Sequence, residues 1–511
     1  MNTQEDNIIY FFLAAAKAHP HKVAIIHKEQ SISFSQLAAD IHATAIHFQQ
    51  CGIQQGHKVL LFVPMSIELY RILLALFKIG ATVIFLDEWV SKKRMEESCK
   101  LAQCNAFIGT WKAKIVAQFS SELRKIPIKL GTTYRNHTSK IFKPPFVKPS
   151  DVALITFTTG STGLPKAAIR THDILYHQFI ALKEIIKPTE NDIDLCALPI
   201  VLLINLGAGC TSVIANYNAR KPATLKESLI IKQLQTNKIN RAVGSPFLLK
   251  QLALYCTAHH ISLPHLQKIF TGGATVFIDD AKVLYTAFSH TQVVAVYGST
   301  EAEPISAINI IDLINSNNGL QQAGINTGVP HHCVAIKILN ITDAPAEYAN
   351  EAALEKDCHA YNTIGEILVS GKHVVQQYLH NEAAVKRTKI FIGNTCWHRT
   401  GDSGYLSKEG NLYFTGRCST LINDNGKIIS TLFYENNLQA IAGVNIATII
   451  KQSEKLLAIV EINKNANKKN LIAAVKKLGI ENISFINKMP RDPRHHSKID
   501  YDKLKLMYLP K

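Results

Sequence analysis

The first part of the chain alternates short apolar runs with stretches of helical periodicity. Buried strands are predicted at Lys22–Ile26, Val59–Val63 and Thr82–Leu86, and amphipathic helices at Phe34–Cys51 and Ile67–Ile79. A glycine follows each of these two helices, as is common where helices end. This alternation favours an α/β fold in which helices cover stacked, largely parallel sheets.

The pattern changes near residue 417. Before it, Gly365–Gly371 and Leu412–Thr415 predict strands; after it, the chain becomes basic and rich in Asn. Because single cores stop growing at about 250–300 residues, two domains are expected. We predict a large α/β domain at 1–417 and a small α+β domain at 418–511. The strands and helix predicted in the small domain are Ala447–Ile450, Leu457–Ile462, Asn470–Leu478 and Ile483–Ile486.

Two apolar segments bear on export and membrane insertion. The run Ile8–Ala16 follows Glu5 and Asp6 rather than basic residues, which favours a surface helix over a signal peptide. Charged residues and a proline interrupt Val59–Leu86, so it lacks the ~18 uninterrupted apolar residues of a membrane span. The sequence therefore predicts a cytoplasmic protein without a membrane span.

Charge and cysteine content narrow the range of partners. The net charge is +17, and residues 418–511 hold 15 Lys or Arg against 8 Asp or Glu. This basic end suits a polyphosphate, coenzyme A or an acidic carrier protein, although a solvated basic surface has the same composition. No nucleic-acid partner is expected, because the sequence lacks the usual DNA- and RNA-binding motifs. The ten cysteines form no CxxC pair, which favours reduced thiols over a zinc site.

A glycine-rich loop follows the predicted strand Val152–Phe157. Glycines let backbone N–H groups point at phosphate oxygens, hydroxyl side chains add donors, and a lysine offsets phosphate charge. The loop is not a Walker A motif, because two residues separate its second glycine from the lysine. A polar surface turn is the alternative interpretation. The loop consists of Thr158, Thr159, Gly160, Ser161, Thr162, Gly163, Leu164, Pro165 and Lys166.

Four further motifs follow in order: Tyr297–Glu301 (YGSTE), Trp397–Asp402 (WHRTGD), Tyr413–Arg417 (YFTGR) and Ser497–Asp500 (SKID). Together with the loop they resemble the signatures of the adenylate-forming superfamily of acyl-CoA synthetases, peptide-synthetase adenylation domains and luciferases. The resemblance covers nearly the whole chain. It implies that ATP and Mg²⁺ activate a carboxylic acid as an acyl-adenylate with release of pyrophosphate. It also implies that the small domain is a mobile lid that carries the catalytic lysine.

The resemblance assigns catalytic roles by position. In the implied reaction a carboxylate attacks the α-phosphorus, so positioning and charge neutralisation dominate catalysis. Lys498 takes the position of the catalytic cation, while Thr300 and Lys166 take positions that contact phosphate. Glu301 is the expected magnesium ligand, since a hard cation prefers carboxylate oxygen.

The same motifs assign the nucleotide-binding residues. Asp402 is expected to accept hydrogen bonds from both ribose hydroxyls. For Arg417, contact with ribose or phosphate and a purely structural role at the domain joint both stay open. Gly272–Ala274 resembles the segment that backs the adenine, with a structural turn as the alternative. The expected nucleotide set is Thr158, Thr159, Gly160, Ser161, Thr162, Gly163, Gly273, Ala274, Tyr297, Gly298, Ser299, Asp402 and Arg417.

The sequence departs from the family at two places. The stretch Cys418–Asn423 lacks the acidic or lysine residues that are usual at the hinge, which puts the thioester-forming half-reaction in doubt. An aliphatic segment, Leu198–Leu203, replaces a segment that usually carries an aromatic residue and His, and it suits an acyl chain. The expected substrate is therefore a fatty or 3-hydroxy acid.

Three short matches resemble one branch of the superfamily, the β-lactone synthetases of olefin biosynthesis: Arg220–Ala223, Tyr297–Pro304 and Arg494–Lys498. Those enzymes adenylate a 3-hydroxy acid, whose hydroxyl then attacks the acyl carbon without a thiol. Our main expectation is transfer to coenzyme A, as in acyl-CoA ligases, with lactone closure or loading of an acyl carrier protein as alternatives. A degenerate, non-catalytic acyl-nucleotide binder is disfavoured, because every motif keeps its reactive residue.

Overall fold

The computed structural model describes residues 7–86, 92–134, 142, 144–158, 166–218, 222–316, 324–452, 454–463, 466–491 and 499–509. Its helices alternate with strands through most of the chain, as predicted. The α-helices in these ranges are Tyr10–Ala18, Phe34–Gln50, Ile67–Ile79, Lys92–Ala102, Trp111–Gln118, Ser121–Lys125, His172–Ile186, Pro199–Ala208, Glu227–Thr236, Pro246–Ala258, Ile278–Ala287, Ile310–Asn315, Glu351–Lys356, Glu382–Thr388, Thr431–Gln439, Lys468–Lys477 and Tyr501–Tyr508.

Sheet A is parallel in its middle and antiparallel at both edges. The antiparallel edge strands are Ala302–Asn309 on one side and Gln30–Ser33 on the other. In spatial order its strands are Ala302–Asn309, Gln292–Ser299, Lys268–Gly272, Arg241–Gly244, Ile193–Cys196, Thr211–Ile214, Val23–His27 and Gln30–Ser33. The carboxyl ends of its parallel strands share one edge, where ligands of α/β proteins usually bind.

Sheet B repeats this arrangement. Its strands are parallel except for the last pair, in which Val152–Thr158 and Lys166–Thr171 run antiparallel. In spatial order they are Ile128–Leu130, Ala106–Gly109, Lys58–Phe62, Thr82–Phe85, Val152–Thr158 and Lys166–Thr171. The glycine-rich loop therefore joins two antiparallel strands at one edge of this sheet.

Helix Ile67–Ile79 packs in the main core together with residues from both sheets. Nearly all its side chains from Leu69 onward are buried, and burying one Leu or Ile side chain stabilises the fold by about 1.5–3 kcal/mol. Ser66 caps its start, where the Ser66 hydroxyl accepts from the Leu69 N–H at 3.3 Å. Gly80 ends it at φ 74°, a backbone conformation that favours glycine. Both predicted ends of this helix are therefore confirmed.

Sheet C is antiparallel, whereas the sequence pattern predicted largely parallel sheets. Its central strand Thr395–Leu406 is joined to Leu412–Arg417 by a short turn, whereas parallel neighbours need a crossover of a dozen or more residues. In spatial order its strands are Ile325–Asn326, Leu412–Arg417, Thr395–Leu406, Gly365–Ser370 and Ala335–Leu339, and Lys389–Ile392 also pairs with Thr395–Leu406.

A smaller unit follows Arg417 and has its own apolar core. Ile422, Leu438, Ala447 and Leu471 belong to this core, which draws all its buried members from residues 422–480. Its strands are Ile422–Asp424, Lys427–Ile429, Val444–Gln452, Lys455–Ile462 and Asn482–Ile486. A large amino-terminal part and a smaller carboxyl-terminal part are thus confirmed, while the boundary at 417/418 stays a prediction.

No helix within the described ranges is long and apolar enough to cross a membrane. The apolar run near the start forms helix Tyr10–Ala18, and it buries Phe12, Ala15 and Ala16 in the main core. This helix is therefore a packing element, with one face turned to the core as its pattern predicts.

Candidate active site

Part of the predicted site lies outside the described residues, namely Thr159, Gly160, Ser161, Thr162, Gly163 and Lys498. The two ends of the glycine-rich loop are described. Thr158 is the last residue of one strand, Lys166 is the first of the next, and the two are paired directly across the sheet. The two residues that flank the loop are therefore held side by side at the edge of sheet B.

The adenine segment and the second nucleotide motif lie side by side in sheet A. Strands Lys268–Gly272 and Gln292–Ser299 are parallel, with Gly272 opposite Val296. A Cβ atom at Gly272 would lie 2.8 Å from the Val296 carbonyl oxygen, so glycine permits this close approach. Gly273 has φ +81°, a conformation that other residues rarely adopt. Ala274 directly follows Gly273 in the chain.

Residues 300 and 301 form the turn between the strands Gln292–Ser299 and Ala302–Asn309. Just before this turn, the Ser299 hydroxyl is buried, and it has no hydrogen-bond partner within the described part of the chain. The same holds for the hydroxyl of Thr271 in the neighbouring strand. Because a buried polar atom without a partner costs about 1–3 kcal/mol, such hydroxyls suit a polar ligand or water.

Glu301 lies among groups that set its charge environment. The Tyr378 hydroxyl donates to Glu301 Oε1 at 3.1 Å. The Nζ atoms of Lys166 and Lys389 lie 5.9 Å and 5.5 Å from the centre of the Tyr378 ring. One carboxylate and two ammonium groups therefore surround a single tyrosine side chain.

Burial shifts the protonation of both lysines. Burial lowers the pKa of the Lys166 ammonium, and the nearby Glu301 carboxylate opposes this effect. Burial also lowers the pKa of Lys389, to about 8. The Lys389 ammonium, which donates to the Val375 carbonyl oxygen, is therefore still mostly charged at pH 7. Buried cations of this kind attract polyanions, because little solvent screens them.

Arg170 fixes the backbone of the turn. Its guanidinium donates through Nη2 to the Thr300 carbonyl oxygen and through Nη1 to the Thr156 hydroxyl, each at 2.6 Å. Thr156 belongs to sheet B and Thr300 to the end of sheet A. The Val375 N–H also donates to the Glu301 carbonyl oxygen at 2.8 Å. These bonds hold the turn in place between the two sheets.

The third motif places Asp402 against two partners from other motifs. Asp402 is buried, and its Oδ2 accepts from the Tyr297 hydroxyl at 2.7 Å. Its Oδ1 lies 3.0 Å from Arg417 Nη1, and this carboxylate raises the pKa of the Arg417 guanidinium. Asp402 and Arg417 are direct partners across two antiparallel strands. Three motifs separated along the sequence thus converge on one carboxylate.

The described residues fit a Mg²⁺–nucleotide on chemical grounds. The carboxylate oxygens of Glu301 are the donor type that Mg²⁺ prefers, and the ammonium groups of Lys166 and Lys389 offset phosphate charge. The buried hydroxyl of Ser299 provides a further donor at the same turn. Asp402 offers two acceptor oxygens, which match the two hydroxyls of a ribose.

Three residues at this site were missed by the sequence analysis, namely Arg170, Tyr378 and Lys389. Arg170 carried a usable signal: strand periodicity places it on the same face as Lys166, four positions earlier. Tyr378 and Lys389 lie in no motif, and only the tertiary fold brings them to Glu301.

Comparison with known proteins identifies relatives of two kinds. The olefin beta-lactone synthetase of Stenotrophomonas maltophilia is 25% identical to this chain, and the match covers 93% of this chain and 90% of that protein. The olefin beta-lactone synthetase of Xanthomonas campestris is 28% identical, and the match covers 76% of this chain and 72% of that protein. A 2-succinylbenzoate–CoA ligase from Enterococcus faecalis is 25% identical over 85% of this chain and 84% of its own.

The fold has counterparts among solved structures. O-succinylbenzoate coenzyme A synthetase from Bacillus subtilis, in complex with ATP and magnesium ion, matches 97% of this chain and 99% of its own with a TM-score of 0.80 at 19% identity. The sequence model of the AMP-binding enzymes matches residues 12–379, which is well over half of the chain. The resemblance and the α/β fold predicted from the motifs are confirmed, and the chain belongs to the AMP-binding enzyme family.

Proposed function

We propose that this adenylate-forming acid ligase activates a 3-hydroxy fatty acid with ATP and Mg²⁺ and closes the resulting acyl-adenylate to a β-lactone. In the first step the acid's carboxylate displaces pyrophosphate from the α-phosphorus of ATP. In the second, the substrate's own hydroxyl oxygen forms a bond to the acyl carbon, AMP leaves with the bonding electrons, and the hydroxyl proton is lost to solvent.

One observation carries the adenylation step, the convergence of Tyr297, Asp402 and Arg417. We assign the ribose hydroxyls to the Asp402 carboxylate. We assign the phosphates to the glycine-rich loop, Thr300, Lys166 and the newly found Lys389. Mg²⁺, held by Glu301, would neutralise phosphate charge. Lys498 would be delivered by the small domain, whose boundary we place between Arg417 and Cys418.

Two findings favour the lactone as the product. The relatives that match at 28% and 25% identity are named as olefin beta-lactone synthetases, and one of them spans 93% of this chain. The hinge region also lacks the residues expected for thioester formation. There Ser419 lies in the short 3₁₀ turn Cys418–Thr420 and its carbonyl oxygen accepts from the Lys505 ammonium at 3.5 Å.

Thioester formation with coenzyme A is the second candidate, since a 2-succinylbenzoate–CoA ligase is 25% identical over 85% of this chain. Loading of an acyl carrier protein shares the same first step. Both routes require a thiol, whereas lactone closure does not. We place the protein in the cytoplasm for either route.

Pyrophosphate release from ATP and Mg²⁺ tests the proposal. The acid panel contains fatty, 3-hydroxy and amino acids, each with and without coenzyme A, and the Lys498→Ala variant is the blank. We expect sustained release with 3-hydroxy acids in the absence of thiol, together with a lactone product detected by mass spectrometry. The matched control is a 3-methoxy acid of equal chain length, which can be adenylated but cannot close.

The outcomes separate the two steps. Turnover that depends on coenzyme A, with a thioester product, would replace the lactone by the ligase reaction and leave adenylation intact. Equal sustained turnover with the 3-methoxy acid would also rule out ring closure. No release with any acid would contradict adenylation of this substrate class and revive the non-catalytic binder.

A further inference from the structure

A cluster of two histidines and a glutamate lies outside the nucleotide motifs. The Nε2 atoms of His331 and His332 are 3.1 Å and 2.6 Å from the same oxygen, Glu184 Oε2. Within the described ranges, this is the one group of three or more His, Cys, Asp or Glu side chains with ligand atoms close enough for a shared metal ion. The three groups border a surface cavity of about 650 Å³ that also contacts Ile180 and Pro188.

One electrostatic contribution disfavours a carboxylate at Glu184, while its imidazole partners oppose it. Glu184 lies in the last turn of helix His172–Ile186, where the helix dipole is negative and disfavours a carboxylate. The ammonium of Lys183, which lines the same cavity, lies over the ring of Phe179 at 5.9 Å from its centre. A cation bound between the carboxylate and the imidazoles would remove this repulsion.

A chain of hydrogen-bonding groups connects His331 to the Pro304 carbonyl oxygen. His373 Nε2 lies 3.0 Å from the Pro304 carbonyl oxygen, which only accepts, so Nε2 carries the proton. Burial lowers the pKa of His373 to about 4, which leaves its Nδ1 as an acceptor near pH 7. The Cys333 thiol can then donate to His373 Nδ1 at 3.8 Å and accept from His331 Nδ1 at 3.0 Å. In this arrangement the lone pair of His331 lies on Nε2, which faces Glu184.

This arrangement matches the surroundings of metal-bound histidines. Such histidines nearly always donate their second ring N–H to a neighbouring acceptor, which orients the ring and raises its basicity. The His331 backbone is held as well, because its N–H donates to the Ile305 carbonyl oxygen at 2.8 Å. His332, by contrast, has an exposed side chain and is free to adjust to a ligand geometry.

We propose that Glu184, His331 and His332 bind one divalent transition-metal ion of the Zn²⁺ class through two imidazole nitrogens and one carboxylate oxygen. This donor set suits Zn²⁺, Cu²⁺ and Ni²⁺ better than Mg²⁺ or Ca²⁺, which prefer oxygen ligands. The ion joins the end of helix His172–Ile186 to the segment before strand Ala335–Leu339. It therefore stabilises the folded chain and stands apart from the adenylation chemistry.

Cobalt titration of the purified full chain, after treatment with a chelator, tests the site. We expect one equivalent of Co²⁺ to produce visible absorption bands, and Zn²⁺ to displace it. His332→Ala and Glu184→Gln, both at exposed side chains, should each weaken binding by at least about 100-fold. Cys333→Ala should weaken it by about 10–100-fold, the usual effect of removing an outer-shell partner.

The matched control is the double substitution of His259 and His260 by Ala. These two residues are also adjacent and exposed, but belong to no metal-capable group in the described part of the chain. The control should keep the cobalt spectrum and the rise in thermal unfolding midpoint that Zn²⁺ causes, whereas His332→Ala should lose both. Unchanged binding in His332→Ala, or no spectral change in the wild type with excess metal, would overturn the proposal and leave a simple His–Glu ion pair.

Discussion

At the scale of single residues, Asp402 shows how one side chain is prepared for a ligand. Its two oxygens face different donors, the Tyr297 hydroxyl and the Arg417 guanidinium. The carboxylate is buried, and it forms an ion pair with Arg417 at 3.0 Å. The side chain is therefore held in one orientation before any ribose arrives.

Asp402→Ala should weaken ATP binding by at least roughly 10-fold to 150-fold, the loss expected for one of its two ribose hydrogen bonds, since a hydrogen bond to a charged group is worth about 1.5–3 kcal/mol. Calorimetric titration with ATP measures this change. Tyr297→Phe removes one protein partner of Asp402 but leaves both carboxylate oxygens, so it should weaken ATP binding less than Asp402→Ala does. An ATP affinity that stays at the wild-type level in Asp402→Ala would refute the ribose assignment.

Single residues also mark the limit of sequence-based prediction at this site. Asp402 and Glu301 could be identified because each lies in a motif of several matched positions. Lys389 could not, since an isolated lysine in an amphipathic segment looks like a solvated surface charge. Its burial depends on packing beneath Tyr378, and no local pattern in the sequence encodes that contact.

At the scale of elements, a buried ion pair ties two strands of sheet C together behind the ribose carboxylate. Glu366 Oε2 accepts from Arg399 Nε at 2.8 Å and Nη2 at 2.6 Å. Glu366 Oε1 accepts from the Gly401 N–H at 3.1 Å. Because Gly401 directly precedes Asp402, this pair positions the strand that carries the proposed ribose-binding residue.

Glu366→Ala should lower the free energy of unfolding by about 3–5 kcal/mol, because it leaves the buried Arg399 guanidinium without its counter-charge. Urea denaturation followed by circular dichroism measures the loss. The double variant Glu366→Leu with Arg399→Met should lose less than the single variant, since it leaves no unpaired charge. A single variant as stable as the wild type would contradict a structural role for this pair.

Individual helices and strands differ in how well the pattern of hydrophobic and polar residues predicted them. Helix Ile67–Ile79 was predicted at both ends, because its apolar face and its closing glycine are local signals. The antiparallel pairing in sheet C was not predicted. Strand direction depends on which strands meet, and short apolar runs such as Gly365–Ser370 carry the same composition in either direction.

At the scale of the whole molecule, the order of the motifs along the chain was more informative about fold and enzyme class than the pattern of any single helix or strand. Five motifs in family order indicated the α/β fold, the smaller carboxyl-terminal part and the enzyme class, all of which the fold and the relatives confirm. The orientation of the small domain could not be predicted. It rests on a few contacts, such as the Ser430 hydroxyl donating to the Thr415 carbonyl oxygen at 2.6 Å.

Lys498→Ala should lower the rate of adenylation by about 10²–10³-fold, because removing one preorganised donor to a developing charge has this effect. ATP affinity should stay nearly unchanged, since the other nucleotide contacts belong to the large domain. Pyrophosphate release and ATP titration on the same preparation separate the two effects. The control is Lys503→Ala, whose ammonium pairs with Asp500 at 2.6 Å on the last helix. Equal losses in both variants would refute a specific role for Lys498.

The ion pair between Asp402 and Arg417 has a thermodynamic consequence for the whole enzyme. Arg417 is the last residue of its strand and lies at the boundary that we propose for the small domain. A nucleotide that strengthens or weakens the Asp402–Arg417 pair should therefore shift the conformations available to the chain between the two domains. Linkage makes the effect reciprocal: whatever fixes the small domain, including an acyl substrate beneath it, must change nucleotide affinity by the same factor.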